Sequence, residues 1–70
     1  MSEYIANDVQ KMRTARGETQ EDLAQSVSVS RQTIIAIEKG RYTPSVLLAL
    51  KIAQHFTTSV EELFTIRHEK

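Results

Sequence analysis

The fold of this chain is decided by residues 19–45, which read TQEDLAQSVSVSRQTIIAIEKGRYTPS. Thr19 and Ser30 are residue types that cap the first turn of a helix. Only Ser28 and Val29 separate Val27, the last apolar residue of the helix that Thr19 caps, from Ser30, the cap of the next helix. Because a connection of three or four residues makes two short helices cross steeply, the stretch predicts a helix-turn-helix.

Apolar residues recur at steps of three and four along the whole chain, and glycine and proline are scarce, so we expect five helices. Their expected positions are helix 1 from about Glu3 or Asn7 to Arg16, helix 2 from Thr19 with a buried stripe ending at Val27, helix 3 from about Arg31 to Lys39, helix 4 from the cap Thr43 through Pro44 to Phe56, and helix 5 after the cap Ser59. Gly17 and Gly40 are expected to end helices 1 and 3 in a left-handed conformation. The prediction is therefore an all-α domain over residues 1–70, with its core in 7–64.

The composition argues against several classes of protein. Seventy residues suffice for one domain, and the absence of cysteine excludes disulfides and thiolate metal sites. No stretch approaches the roughly 18 apolar residues of a membrane span, and the N-terminus does not resemble a signal peptide, so we expect a soluble protein of the cytoplasm. Nine basic residues balance nine acidic ones, so a claim of nucleic-acid binding depends on where the charges lie.

No catalytic or ligand-binding site is expected. His55 and His68 lie far apart and have no partners at the spacing of metal ligands. No set of nucleophile, base and orienting acid can be assembled, and there is no glycine-rich phosphate loop. We therefore expect neither an enzyme nor a bound cofactor, metal or small-molecule effector.

Helix 3 carries the residues that suit DNA. Residues 30–42 contain three basic residues and one acid. At 100° per residue, one side of the helix carries the residues expected to face the core, namely Ile34, Ile37, Glu38 and Arg41. The opposite side and the helix N-terminus carry the candidate base contacts, namely Arg31, Gln32, Ile35 and Ala36. Arginine pairs with guanine, glutamine pairs with adenine, and apolar groups pack on thymine methyls.

Residues suited to phosphate surround that helix, namely Gln20, Thr33, Lys39, Arg41 and Tyr42. The plain alternative is that the polar side of helix 3 is only a solvated surface. The tight turn and the caps of helix 2 favour the functional interpretation.

Three stretches together resemble the lambda-repressor-like helix-turn-helix domains of the Xre and phage Cro type: TQEDLA at 19–24, VSRQTI at 29–34 and IEKGRYTPS at 37–45. The resemblance covers about residues 7–64. It implies a five-helix domain that binds operator DNA as a transcriptional regulator, with helix 3 in the major groove. It also implies a buried ion pair between Arg13 and Glu38, which is reasonable because an unpaired buried carboxylate is costly.

The chain departs from the family pattern at three positions. Ser28 and Thr57 stand where glycine commonly ends helices 2 and 4, and Glu18 replaces an apolar residue before the Thr-Gln pair. A left-handed residue other than glycine is mildly strained, so we expect these helix ends to be less stable or differently closed.

Leu47, Phe64 and Ile66 are either additional core or a self-association surface. Phe64 and Ile66 alternate with polar residues as in a strand, so residues 65–70 are either a frayed tail or a short, dimerising strand. A homodimer is favoured, because one helix-turn-helix contacts few bases and twofold symmetry suits a palindromic operator. The alternative function is a protein-interaction module, such as an antitoxin, that regulates a partner protein.

Overall fold

Five helices and two strands form in the part of the chain that the computed structural model describes, residues 2–69. In chain order they are β1 (Glu3–Asn7), α1 (Val9–Ala15), α2 (Gln20–Ser26), α3 (Arg31–Glu38), α4 (Val46–His55), α5 (Val60–Leu63) and β2 (Phe64–His68). The α2–turn–α3 unit is the predicted helix-turn-helix. No helix in residues 2–69 combines the length and apolar character needed to cross a membrane.

The two strands make the all-α expectation wrong, although a short strand was one of the two alternatives for residues 65–70. β1 and β2 pair antiparallel, with Ile5 opposite Ile66 at the centre of the register. A first helix that begins at Glu3 or Asn7 is likewise wrong, because Glu3–Asn7 is β1 and α1 begins at Val9. The physical reason is long-range pairing, which a local pattern of apolar residues does not report. Residues 64–68 therefore form a strand that pairs within the chain.

Asn7 fixes the point where the strand ends and α1 begins. Its Oδ1 accepts a hydrogen bond from the Val9 N–H at 3.1 Å, and its Nδ2 donates to the Ile37 carbonyl at 2.9 Å. The Asp8 N–H donates to the Leu63 carbonyl at 3.0 Å. The sheet is thereby joined to the C-terminal end of α3 and to α5.

The core lies between α1 and the four later helices. Its buried members are Val9, Leu23, Ala24, Val27, Ile34, Ile37, Leu48, Ile52, Ala53, Phe56 and Leu63. Ile34 and Ile37 face inward as predicted, whereas the expectation that Arg41 faces the core is wrong, because its side chain is exposed. Gly40, at φ 74°, ends the helical path, so the 100° progression does not continue to Arg41.

Side chains cap four of the helices. Thr19 with Asp22 and Ser59 with Glu62 form capping boxes at α2 and α5, and these hydrogen bonds hold the pKa of each carboxyl group below its ordinary value. Ser30 caps α3 as predicted.

The cap of α4 differs from the prediction. Ser45, not Thr43, is the cap, since its Oγ accepts from the Leu48 N–H at 3.1 Å. The extended conformation of Ser45 places Pro44 before the helix instead of in its first turn.

The departures from the family pattern have distinct outcomes. Ser28 and Thr57 both adopt the left-handed conformation, at φ 62° and 57°, as the expectation of strain requires. Glu18 has a polar partner: its Oε1 lies 2.8 Å from Nε2 of His55, a half-buried ring that meets Phe56 edge-on. The position that is commonly apolar therefore joins the α1–α2 loop to the end of α4.

Replacing Ser28 and Thr57 by glycine should stabilise the protein by about 0.5–1 kcal/mol at each site. Relief of the left-handed Cβ clash, about 1–2 kcal/mol, is partly offset by the greater entropy of glycine in the unfolded chain. Urea unfolding of the single variants measures the change. Gln25→Gly, on the exposed side of α2, is the matched control and should destabilise by about 1 kcal/mol. Equal losses at all three positions would contradict the strain assigned to Ser28 and Thr57.

Candidate nucleic-acid interface

The N-terminal turn of α3 presents Arg31 and Gln32 to solvent. Both side chains are exposed, while Ile35 and Ala36, one turn further along, are half-buried. The helix is held firmly at this end, because Ser30 Oγ accepts from the Thr33 N–H at 3.2 Å. Below it, Ile34 is fully buried. The two polar side chains therefore project from a helix whose rotation and position are fixed by the core.

The other predicted base contacts offer less surface than the two polar residues. Because Ile35 and Ala36 are half-buried, each can present only part of its side chain to a groove. Such a surface suits van der Waals contact with thymine methyl groups and nothing more directional.

The predicted phosphate contacts lie at both ends of α3. Lys39, Arg41 and Tyr42 are exposed beyond its C-terminal end, with Tyr42 48% accessible. The Arg41 N–H donates to the Ala36 carbonyl at 2.9 Å, so the backbone after the helix is ordered. At the other end, Thr33 is half-buried and its Oγ1 lies 3.1 Å from Ser30 Oγ.

Gln20, the remaining phosphate candidate, is oriented by Glu38. Its Nε2 donates to Glu38 Oε1 at 3.0 Å, and Gln20 and Arg31 line one shallow cleft, whose other members are Arg13, Thr19 and the acidic Glu18 and Glu21. A side-chain amide nitrogen carries two hydrogens, so the second remains available to an anion. Sequence reasoning missed this contact. Glu38 was expected to face inward on α3, and a buried carboxylate needs more hydrogen-bond donors than Arg13 alone supplies. That expectation was the signal from which the contact with Gln20 could have been predicted.

The expected ion pair between Arg13 and Glu38 is present. Arg13 Nε and Nη2 lie 2.7 and 3.2 Å from the two carboxylate oxygens of Glu38, and the side chains are only 10% and 3% exposed. The hydrogen bonds to Glu38 raise the pKa of Arg13, so the guanidinium stays charged. Arg13 Nη1 also donates to the Glu18 carbonyl at 2.7 Å. This pair ties α1 to the C-terminal end of α3.

Of the three residues expected at a dimer interface, Phe64 and Ile66 line one cleft beside the sheet, and Leu47 does not join them. Phe64 lines an apolar groove between α4 and α5 with Val46 and Leu50. Ile66, 68% exposed, lies on the adjoining sheet, whereas Leu47 lines a different cleft beside Thr33.

Comparison with known proteins agrees with this geometry. The Helix-turn-helix family model HTH_3 matches residues 9–63. The chain is 48% identical over 65 residues to the uncharacterized HTH-type transcriptional regulator YgzD of Bacillus subtilis, covering 93% of this chain and 98% of that one. It is 53% identical over 60 residues to the regulator MJ0272 of Methanocaldococcus jannaschii, covering 86% and 91% of the two chains.

A solved structure shows the same fold. The restriction-modification controller protein C.AhdI from Aeromonas hydrophila superposes with a TM-score of 0.72 at 30% identity, covering 77% of this chain and 82% of that one. Fold and motif thus define a helix-turn-helix protein. The chain belongs to the Xre and Cro type, lambda-repressor-like family of DNA-binding transcriptional regulators, which is not a family of enzymes.

Replacing Glu38 by alanine should lower the free energy of unfolding by about 3 kcal/mol, because it leaves the buried Arg13 guanidinium without its carboxylate. Chemical denaturation measures the loss. The control is Glu21→Ala on the exposed side of α2, which should change stability by about 0.5 kcal/mol or less. Equal stabilities for the Glu38 variant and the wild type would contradict a structural role for the pair.

Proposed function

We propose that this chain is a sequence-specific transcriptional repressor that binds a palindromic operator as a homodimer, with α3 in the major groove. The observation that carries the proposal is the pair of exposed side chains, Arg31 and Gln32, at the capped end of a helix that the core holds in place. The one action that this surface can perform by itself is to occupy an operator. Occupancy alone favours repression. The site of action would be the nucleoid, in the cytoplasm.

The two side chains have complementary chemistry for bases. A guanidinium donates two parallel hydrogen bonds to O6 and N7 of guanine, and a glutamine amide both donates to and accepts from adenine. Ile35 and Ala36 would add apolar contacts to thymine methyl groups. We therefore expect a half-site that contains a G·C and an A·T pair within the few base pairs that α3 spans.

Phosphate contacts would fix the register of α3 on the duplex without selecting a sequence. Lys39, Arg41 and Tyr42 would contact one backbone strand, and Gln20 and Thr33 another. Glu38 supports this arrangement, because it orients the Gln20 amide through a hydrogen bond of 3.0 Å.

The variant that lacks both base-contacting side chains, R31A/Q32A, should lose specific binding to an operator obtained by in vitro selection. Each lost contact is expected to cost about tenfold to a hundredfold in affinity. Fluorescence anisotropy with labelled duplex measures the change, and circular dichroism should show an unaltered melting curve, since both side chains are exposed.

The matched control replaces a glutamine and a basic residue on the exposed side of α1, as Q10A/K11A, and should keep wild-type affinity. Undiminished binding by R31A/Q32A would refute the assignment of α3. If in vitro selection with the wild-type protein enriches no sequence, the proposed function is refuted and the protein-interaction module is the remaining alternative.

A second copy of the chain is the proposed occupant of the groove between α4 and α5. The groove has a volume of about 730 Å³ and is lined chiefly by apolar side chains, with Glu61 as its one charged member among the described residues. Val46 and Leu50 on its rim are 77% and 46% exposed, although both are apolar. An exposed apolar surface of this kind marks an interface.

The position of the groove suits a twofold axis. Thr43 and Pro44, which follow the C-terminal end of α3, also line the groove. An axis there would bring the two α3 C-terminal ends toward each other on one side of the dimer. Two copies of α3 about 34 Å apart would then enter successive major grooves of a palindromic site.

Leu50→Glu should convert the dimer to a monomer, because it places a carboxylate without a partner on the rim of the groove, where the second copy would bury it. Sedimentation equilibrium at micromolar concentration gives the association state. Leu47→Glu, on the same helix but outside the groove, is the matched control and should remain dimeric. A monomeric Leu47→Glu beside a dimeric Leu50→Glu would place the interface at Leu47. A monomeric wild type would contradict the homodimer.

A further inference from the structure

A cleft beside α3 contains a basic residue for which the assigned DNA contacts do not account. It has a volume of about 290 Å³ and lies among the α2–α3 turn, the loop after α3 and the first two turns of α4. Its lining residues are Val27, Ser28, Val29, Thr33, Tyr42, Ser45, Leu47, Leu48 and Lys51. Thr33 and Tyr42, two of the candidate phosphate contacts, therefore share a surface with Lys51 of α4.

The polar groups of this cleft are those that bind an anion. Hydroxyl groups come from both α3 and the loop, Lys51 supplies the positive charge, and none of the lining residues is acidic. Ser45 Oγ accepts the Leu48 N–H at 3.1 Å, so its own hydroxyl hydrogen remains free to donate. Lysine provides a point charge with three donors, which suits a phosphate approached from the side.

The residues that line the cleft indicate the nature of the anion. Lys51 is exposed on α4, and its cleft continues the surface that carries Thr33 at the start of α3 and Tyr42 after its end. A duplex that places Arg31 and Gln32 in its major groove runs its sugar-phosphate backbone along the rim of that groove. Leu47, 64% exposed, also lines the cleft and would offer an apolar surface to the deoxyribose between two phosphates of such a duplex.

We propose that Lys51, with the Ser45 hydroxyl, binds a phosphate of the DNA backbone and extends the protein footprint from the helix-turn-helix onto α4. The inference rests on the proposed function, since it requires α3 to lie in the major groove. It assigns to Lys51 a contact that positions the protein and does not select bases. The expected consequence is one additional ionic contact for each protomer.

The test is the salt dependence of affinity for the selected operator, compared between wild type, Lys51→Gln and Lys51→Arg. Loss of one phosphate contact reduces the slope of log K against log salt by about 0.9 for each protomer, or about 1.8 for a dimer. Lys51→Gln should show that reduction and weaken all sequences equally, whereas Lys51→Arg should keep the wild-type slope. Lys11→Gln, on the exposed side of α1, is the matched control and should also keep it.

The outcomes separate this inference from the function on which it rests. If the wild type binds its operator and Lys51→Gln has the same salt slope, the Lys51 contact is overturned and the proposed function stands. If Lys51→Gln alters the sequence preference, Lys51 contacts bases and the inference is overturned. If Lys51→Gln alters the association state and keeps the wild-type slope, Lys51 contacts the second copy and the inference is again overturned. Failure of the wild type to bind any selected DNA overturns both.

Discussion

The buried carboxylate of Glu38 is the constraint on which the rest of the molecule depends. A charge with 3% exposure is tolerated only when it is paired and hydrogen-bonded, and here Arg13 and Gln20 supply all three donors. These donors come from α1 and α2, and the acceptor from α3, so one group sets the relative position of three helices. Arg31 lies seven residues before Glu38, on nearly the same side of α3. Fixing the rotation of α3 at Glu38 therefore fixes where Arg31 points.

The terminal sheet supports α3 at the same C-terminal end. Asn7 donates to the carbonyl of Ile37, the residue before Glu38, and also satisfies the first free N–H of α1. Pairing of β1 with β2 thus holds α1 and the end of α3 together, although neither strand contributes to the buried core cluster beyond the partly buried Phe64. A change in the sheet would be transmitted to α3 through the Asn7 amide.

Local chemistry explains which features could be predicted from the sequence. The caps Thr19, Ser30 and Ser59 and the inward side of α3 follow from residue type and a period of 3.6, and the structure agrees. The sheet could not be predicted as a pair, because the partners Ile5 and Ile66 lie near opposite ends of the described chain. The Gln20–Glu38 and Glu18–His55 hydrogen bonds were missed for the same reason. Contacts between elements depend on distances that a single sequence does not contain.

Electrostatics then shape how such a protein must find its site. The chain carries no net charge, so it has little long-range attraction for DNA and, in the proposed complex, would gain its ionic contacts only when α3 is docked. Four basic side chains, Arg31, Lys39, Arg41 and Lys51, are exposed on α3, the loop after it and α4. Arg31 is proposed to contact a base, so the three proposed phosphate contacts of the others correspond to a salt slope of about −2.7 for one protomer. In the proposed complex, non-specific binding by a single copy would therefore be weak, and stable occupancy of an operator would depend on base contacts and on a second copy bound to the same duplex.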